Sequence, residues 1–249
     1  MNERRPFGGI GDPSASGIVL VHGTRMAGAY WHAQRVALSD SYYVVAPDLP
    51  GHGARRTTPF THAAALATIR TAIAACVGGT AIVVGHSLGG YLVMDLAAAS
   101  PELCRALVLV GCSAVAQGPK TWPYRAVSRM LPLFPESALT RWNDRLLRRL
   151  YPAELVEHQI AAGYGFGAVA TSWRTVLGRD HAPALHAFPR PVLVVNGARD
   201  RFFRSDEQYF VRSCTHGRLE VIANAGHLCN LDCPNEFTET LRTFADSIA

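Results

Sequence analysis

The chain has 249 residues, 49% of them hydrophobic and 17% charged, with a formal net charge of +5. That length supports one large α/β domain or two small ones, and the composition excludes a disordered or collagen-like chain. No run approaches the ~20 apolar residues of a membrane span, and the charges do not interleave with aromatics as in a nucleic-acid-binding motif, so neither role is expected.

The opening stretch "MNERRPFGGIGDPSASG" has charges with no apolar core behind them, so it does not read as a signal peptide, and a cytoplasmic location is expected. "GIVLVHG" (17–23) is short, apolar and β-branched and ends on glycine, the pattern of a strand buried on both faces. "YYVVAP" (42–47), "AIVVG" (81–85) and "ALVLVG" (106–111) repeat it, as do "PVLVVNG" (191–197) and "RLEVIAN" (218–224). Between them lie helical stretches. "THAAALATIRTAIAAC" opens on Thr61, a residue suited to cap a helix, and "SDEQYFVRSC" sets Ser205 and Gln208 at capping-box spacing. "PNEFTETLRTFADSIA" places proline in a first turn. Apolar strands alternating with helices predict a parallel sheet covered on both faces.

From Ser113 to Pro189 the strand signal disappears and only helical stretches broken by Pro and Gly remain. We therefore expect a core formed by 1–112 and 190–249, with 113–189 inserted as a helical layer above the sheet. That segment holds nine basic residues against five acidic ones, a surplus of four and nearly the whole excess of the chain. It reads as a solvated arginine-rich face or as a surface for an acidic partner, such as an acidic carrier protein. Its aromatics, among them Trp122, Tyr164 and Phe166, are candidates to line an apolar pocket, and "GYGFG" (163–167) reads as a hinge. The six cysteines are scattered and read as reduced core residues. Cys229 and Cys233 lie close together but lack further ligands at metal-site spacing, so no metal or other cofactor is expected.

The chemistry concentrates at "VVGHSLGG", where Ser87 follows a strand and precedes a helix in the pattern Gly-x-Ser-x-Gly. A serine hydroxyl needs a base to remove its proton, and the base needs a third group to orient it. In an open parallel sheet such partners collect at the carboxyl ends of strands. Asp200, in "NGARDRFF", and His227, in "NAGHLCNLDCPNEF", each follow one. Asp206 and Asp232 are nearby acids better suited to helix capping or a first turn. The backbone N–H groups of Leu88, after the nucleophile, and Thr24, in the loop "HGTRMAG", are the expected oxyanion donors. Arg25 and His86 flank this site as possible substrate contacts, His22 is expected to orient the oxyanion loop, and Asp48, His52 and Asp95 are expected to be structural.

These pieces ("LVHGTRMAG", "YYVVAPDLPGHGARR", "VVGHSLGG", "VLVVNGARD", "IANAGHLCNLDCPNEF") occur in an order and at spacings that resemble the α/β-hydrolase superfamily. The resemblance implies a three-layer fold with helices on both faces and the segment 113–189 as the variable lid, and a triad of Ser87, Asp200 and His227. Only about sixteen residues precede the first core strand, too few for the usual opening hairpin, so about six mainly parallel strands are expected rather than eight. This short start, with "GAYW" (28–31), is similar to the plant methylesterase and hydroxynitrile lyase branch. The lyases place a lysine beside the triad acid. The sole lysine here is Lys120, which argues against cyanohydrin cleavage, and a serine nucleophile argues against dehalogenase or epoxide hydrolase chemistry. The leading expectation is a serine esterase acting on a small lipophilic or aromatic substrate. A thioesterase for carrier-bound acyl groups, a carbon–carbon hydrolase or cyclase of secondary metabolism, and a non-catalytic ligand receptor are the alternatives.

Overall fold

The computed structural model describes residues 7–248, so the first six residues of the stretch that does not read as a signal peptide lie outside the description. Six strands run β1 (Gly17–Val21), β2 (Tyr43–Val45), β3 (Ala81–His86), β4 (Cys104–Val110), β5 (Val192–Gly197) and β6 (Gly217–Ile222). They form one sheet in the order β2-β1-β3-β4-β5-β6, and every neighbouring pair is parallel.

Helices α1 (His32–Leu38), α2 (His62–Ala74), α3 (Leu88–Ala99), α4 (Trp122–Met130), α5 (Glu136–Leu150), α6 (Ala153–Ala162), α7 (Val169–Trp173), α8 (Glu207–Arg212), α9 (Cys229–Asp232) and α10 (Pro234–Asp246) fill the intervals. Alternation along the strands divides the core into two faces. Val19, Val21, Val83, Leu107 and Val194 pack against Ile69 and Ile73 of α2, Tyr91 and Leu92 of α3, and Phe210 of α8. Ile18, Leu20, Val84, Val108 and Val195 pack against Leu38 of α1 and Phe237, Leu241 and Phe244 of α10. The result is a three-layer α/β/α arrangement. Among the described residues no helix is long and apolar enough to cross a membrane.

Local signals fared unevenly. The Thr61 hydroxyl accepts from the Ala64 N–H at 3.1 Å and caps α2, and Pro234 opens α10. The capping box expected at Ser205 and Gln208 does not form: α8 begins at Glu207, and the Ser205 hydroxyl is turned to the Asp206 carboxylate at 2.9 Å. Strand β6, expected to be buried on both faces, buries only Ile222. It is an edge strand, and Arg218 and Glu220 of its polar-apolar alternation belong at such a boundary. Cys104, Cys112 and Cys229 are buried free thiols, and Cys214 and Cys233 are partly buried ones.

Four of the helices, α4 to α7, fall between β4 and β5. The "GYGFG" junction within them is tied down at its central glycine, whereas nothing crowds Gly163 or Gly167. Gly165 donates its N–H to the Arg25 carbonyl at 2.9 Å, and a Cβ added there would meet the His52 ring at 2.4 Å.

Candidate active site

β3 ends at His86 and α3 starts at Leu88, so Ser87 alone turns the chain from strand to helix. Its backbone takes φ 52° and ψ −118°, a conformation that costs a residue with a side chain on the order of 1–3 kcal/mol. Hydrogen bonds hold it there: its N–H donates to the Val110 carbonyl at 2.8 Å, and its carbonyl accepts from Gly90 at 3.0 Å and Tyr91 at 3.3 Å.

The loops after β5 and β6 bring Asp200 and His227 together. His227 Nδ1 lies 2.6 Å from Asp200 Oδ2. A carboxylate accepts only, so Nδ1 carries the hydrogen and the neutral ring keeps its free electron pair on Nε2. The other Asp200 oxygen accepts the Phe203 N–H at 3.0 Å, and the Phe203 ring stacks on the His227 ring with centroids 4.2 Å apart. His86 Nε2 donates to the His227 carbonyl at 2.9 Å, which ties the histidine loop to the residue before Ser87. Asp206 and Asp232 are committed elsewhere, to Val115 N–H and Lys120, and to Gly226 N–H and Tyr151.

The loop after β1 approaches the serine closely, since a Cβ on Gly23 would lie 3.3 Å from the Ser87 Cβ. Among the described residues the N–H groups of Thr24 and Leu88 donate no hydrogen bond. This loop is braced by the "PDLPGHG" segment. Asp48 accepts from Gly28 N–H at 2.7 Å and Ala54 N–H at 2.8 Å. His22 donates Nδ1–H to the Gly23 carbonyl and accepts the Leu49 N–H on Nε2 at 3.0 Å. His52 donates Nδ1–H to the Pro50 carbonyl and accepts the Arg25 N–H on Nε2 at 3.2 Å. Arg25 itself sits at φ 61°, the second strained non-glycine in the site.

Both bracing histidines use Nε2 as an acceptor, so they work only when neutral. Burial pushes His22 down to about 4 and His52 down to about 3. Burial also drives His86 well below the usual histidine range and His181, on the far side of α3, to about 4. The unfolded chain protonates these groups near pH 6.5, whereas the folded chain refuses the proton until much lower pH. The unfolded state therefore binds more protons, and stability falls as pH drops below ~6.5, by up to ~1.4 kcal/mol per pH unit for each histidine. Urea midpoints at pH 7.5 and pH 5 should differ with a slope of more than one proton; equal midpoints would contradict neutral burial.

Ser87, Leu88, His227, Thr24, Arg25, His86 and Phe166 all border one cavity of about 260 Å³. Trp122 and Tyr164, expected as substrate contacts, do not. Trp122 opens α4 on its outer side and is 68% exposed, while Tyr164 is buried with its hydroxyl on Asp144 at 2.7 Å. The helix period explains the first: Tyr124, Val127 and Leu131 share the cavity face and Trp122 lies opposite. Tyr124 and Trp173, which belong to the aromatics of 113–189 expected as pocket candidates, do line it. So do Phe202 and Phe203, for which the sequence carried no expectation although they stand directly behind Asp200 in "RDRFF". Asp95 does not line the cavity and ties α3 to the stretch between β4 and β5 through a two-pronged pair with Arg179, both contacts 2.9 Å. Among the described residues no cluster of His, Cys, Asp and Glu is suited to hold a metal ion.

A model of the alpha/beta hydrolase family matches residues 18–240. The chain is 28% identical to 3-oxoadipate enol-lactonase 2 of Acinetobacter baylyi, over 85% of this chain and 81% of that protein. It is 26% identical to the pimeloyl-[acyl-carrier protein] methyl ester esterase of Nitrosomonas europaea, over 88% of this chain and 92% of that one. The crystal structure of E-2-(acetamidomethylene)succinate hydrolase superposes with a TM-score of 0.79 at 21% identity, covering 96% of this chain and 93% of that one.

Proposed function

The chain belongs to the alpha/beta hydrolase family, and on that premise we propose that it is a serine hydrolase cleaving a carboxylic ester of a small lipophilic or aromatic substrate. The observation that carries this reading is the Asp200–His227 pair at 2.6 Å, whose histidine borders the same cavity as a strained Ser87. His227 Nε2 takes the Ser87 proton as Oγ attacks the ester carbonyl, and Asp200 holds the ring tautomer and steadies the imidazolium. The N–H groups of Thr24 and Leu88 receive the oxyanion, each contributing roughly 3 kcal/mol to the transition state. Collapse of the intermediate releases the alcohol, protonated by His227, and leaves an acyl group on Ser87. Water, deprotonated by the same histidine, then releases the acid. The helices between β4 and β5 act as a lid, with Tyr124, Phe166 and Trp173 excluding water from the acyl group. Both curated relatives are named for ester-type substrates, a lactone and a methyl ester, which supports the reaction class.

One observation favours a second reading, a thioesterase for carrier-bound acyl groups. Arg141, Arg145 and Arg149 of α5 are exposed, whereas Arg148 is occupied by Glu157 at 2.6 and 2.9 Å. The three free arginines suit an acidic carrier protein, and the Nitrosomonas relative is named for a carrier-bound substrate.

A fluorophosphonate probe with a panel of esters, lactones and carrier-bound thioesters tests both. Ser87 of the folded protein should be labelled and Ser87→Ala should not, with its thermal midpoint retained. An unlabelled Ser87 would overturn the hydrolase reading. Charge reversal at Arg141, Arg145 and Arg149 should leave small-ester turnover intact and separate the two substrates: loss of thioester turnover alone selects the carrier.

A further inference from the structure

Arg25 borders a cavity most of whose wall is apolar, with Met26, Leu131, Val169, Trp173 and Phe202 among its members. The side chain is mostly buried, and burial lowers its affinity for the proton. Among the described residues its guanidinium joins no ion pair and no hydrogen bond. The groups that influence its charge are the hydroxyls of Tyr164 and Tyr30. Both hydroxyl hydrogens are already committed, to Asp144 and to Asn230. A largely buried arginine with no acid paired to it among the described residues is an unfinished interaction, because buried cations are ordinarily paired. The backbone points the same way. Arg25 holds a left-handed conformation that glycine would adopt freely, and two hydrogen bonds fix it, from its own N–H to His52 and from Gly165 to its carbonyl. The fold keeps a large cation at this position.

We propose that Arg25 is the binding residue for an anionic group of the substrate, so that the ester cleaved at Ser87 carries a carboxylate a few bonds from the scissile carbonyl. The guanidinium fork matches a carboxylate with two parallel hydrogen bonds. Arg25 adjoins Thr24, the proposed oxyanion donor, so a substrate anchored on Arg25 is registered against the site of attack. The apolar walls take the remainder of the molecule. This inference rests on the ester-hydrolase reading, to which it adds a substrate class.

Matched esters of one phenol test it: monoaryl succinate, glutarate and adipate against the butanoate, pentanoate and hexanoate of equal chain length. The wild type should favour the anionic member of at least one pair. Arg25→Gln should lower the anionic-to-neutral ratio of kcat/KM about 100-fold, mainly through KM, since hydrogen bonds to charged groups are worth that factor. Arg25→Lys, a point charge without the fork, should fall between. A ratio that Arg25→Gln leaves unchanged, or a wild type preferring the neutral ester in every pair, overturns the proposal. Binding of the non-cleaved anilides, glutaranilic acid and pentananilide, followed through tryptophan emission with Trp173 in the wall, needs no turnover. Discrimination between the anilides without ester cleavage would overturn the hydrolase reading alone. Cleavage of esters with equal anilide affinities would overturn the anion site alone.

Discussion

Replacing Asp200 by Asn is expected to lower kcat about 10⁴-fold near neutral pH, the size of loss associated with the wrong histidine tautomer. Asp200 is 6% exposed and accepts two hydrogen bonds, from His227 Nδ1 at 2.6 Å and Phe203 N–H at 3.0 Å. Asparagine keeps the shape, and its carbonyl oxygen still receives the Phe203 N–H. The amide nitrogen then faces His227 as a donor, which forces the ring to carry its hydrogen on Nε2. That tautomer cannot accept the Ser87 proton. The imidazolium formed on attack also loses its counter-charge. Steady-state kinetics on any ester that the wild type cleaves should show the loss in kcat with little change in KM, and chemical unfolding should report a nearly native protein. A loss below tenfold would transfer the role to another acid. Asp206 and Asp232 are poorly placed to inherit it, because both carboxylates already receive backbone N–H groups of other loops, Val115 and Gly226.

The sheet was readable because its strands are continuous apolar runs, a pattern that only burial on both faces imposes, and five of the six bury nearly all their residues. β6 was misread because "RLEVIAN" has β-branched and apolar residues without the uninterrupted run. Its polar members mark an edge, which is a property of the neighbours rather than of the strand. The positions of Ser87, Asp200 and His227 were legible because each stands where a strand ends, and chain topology carries such ends to one rim. The cavity walls were not legible in the same way. Whether Trp122 or Tyr124 faces inward depends on how α4 rolls against the sheet, and two residues of sequence separation turn a side chain to the opposite side of a helix. Arg25 was legible as a residue flanking the site and a possible substrate contact. That it lacks an acid partner among the described residues is a statement about all their carboxylates, which no local pattern contains.

Gly89→Ala is expected to destabilise the chain by ~4 kcal/mol or more, the range reserved for a side chain forced into atoms that cannot move. A Cβ on Gly89 would lie 2.4 Å from the Val21 carbonyl oxygen and 2.7 Å from that of His22. Both are backbone atoms at the end of β1, pinned by the pairing of β1 with β2 and β3. No rotamer change relieves the overlap, so α3 must withdraw from β1. Gly167→Ala provides the contrast, since nothing lies within 4 Å of its added Cβ. It should leave the urea midpoint within ~0.5 kcal/mol of wild type, as for a surface substitution. Equal midpoints for the two variants would mean that α3 and β1 are not in tight contact. The consequence for catalysis follows from the same geometry. Leu88 begins α3, and Thr24 hangs three residues beyond β1, so the two proposed oxyanion donors sit on opposite sides of the contact that Gly89 permits. Any Gly89→Ala protein that still folds should lose activity through kcat, because the withdrawal separates the donors that must meet a single oxygen. Glycine at 89 thus serves the site by letting two pieces of backbone approach more closely than any side chain allows.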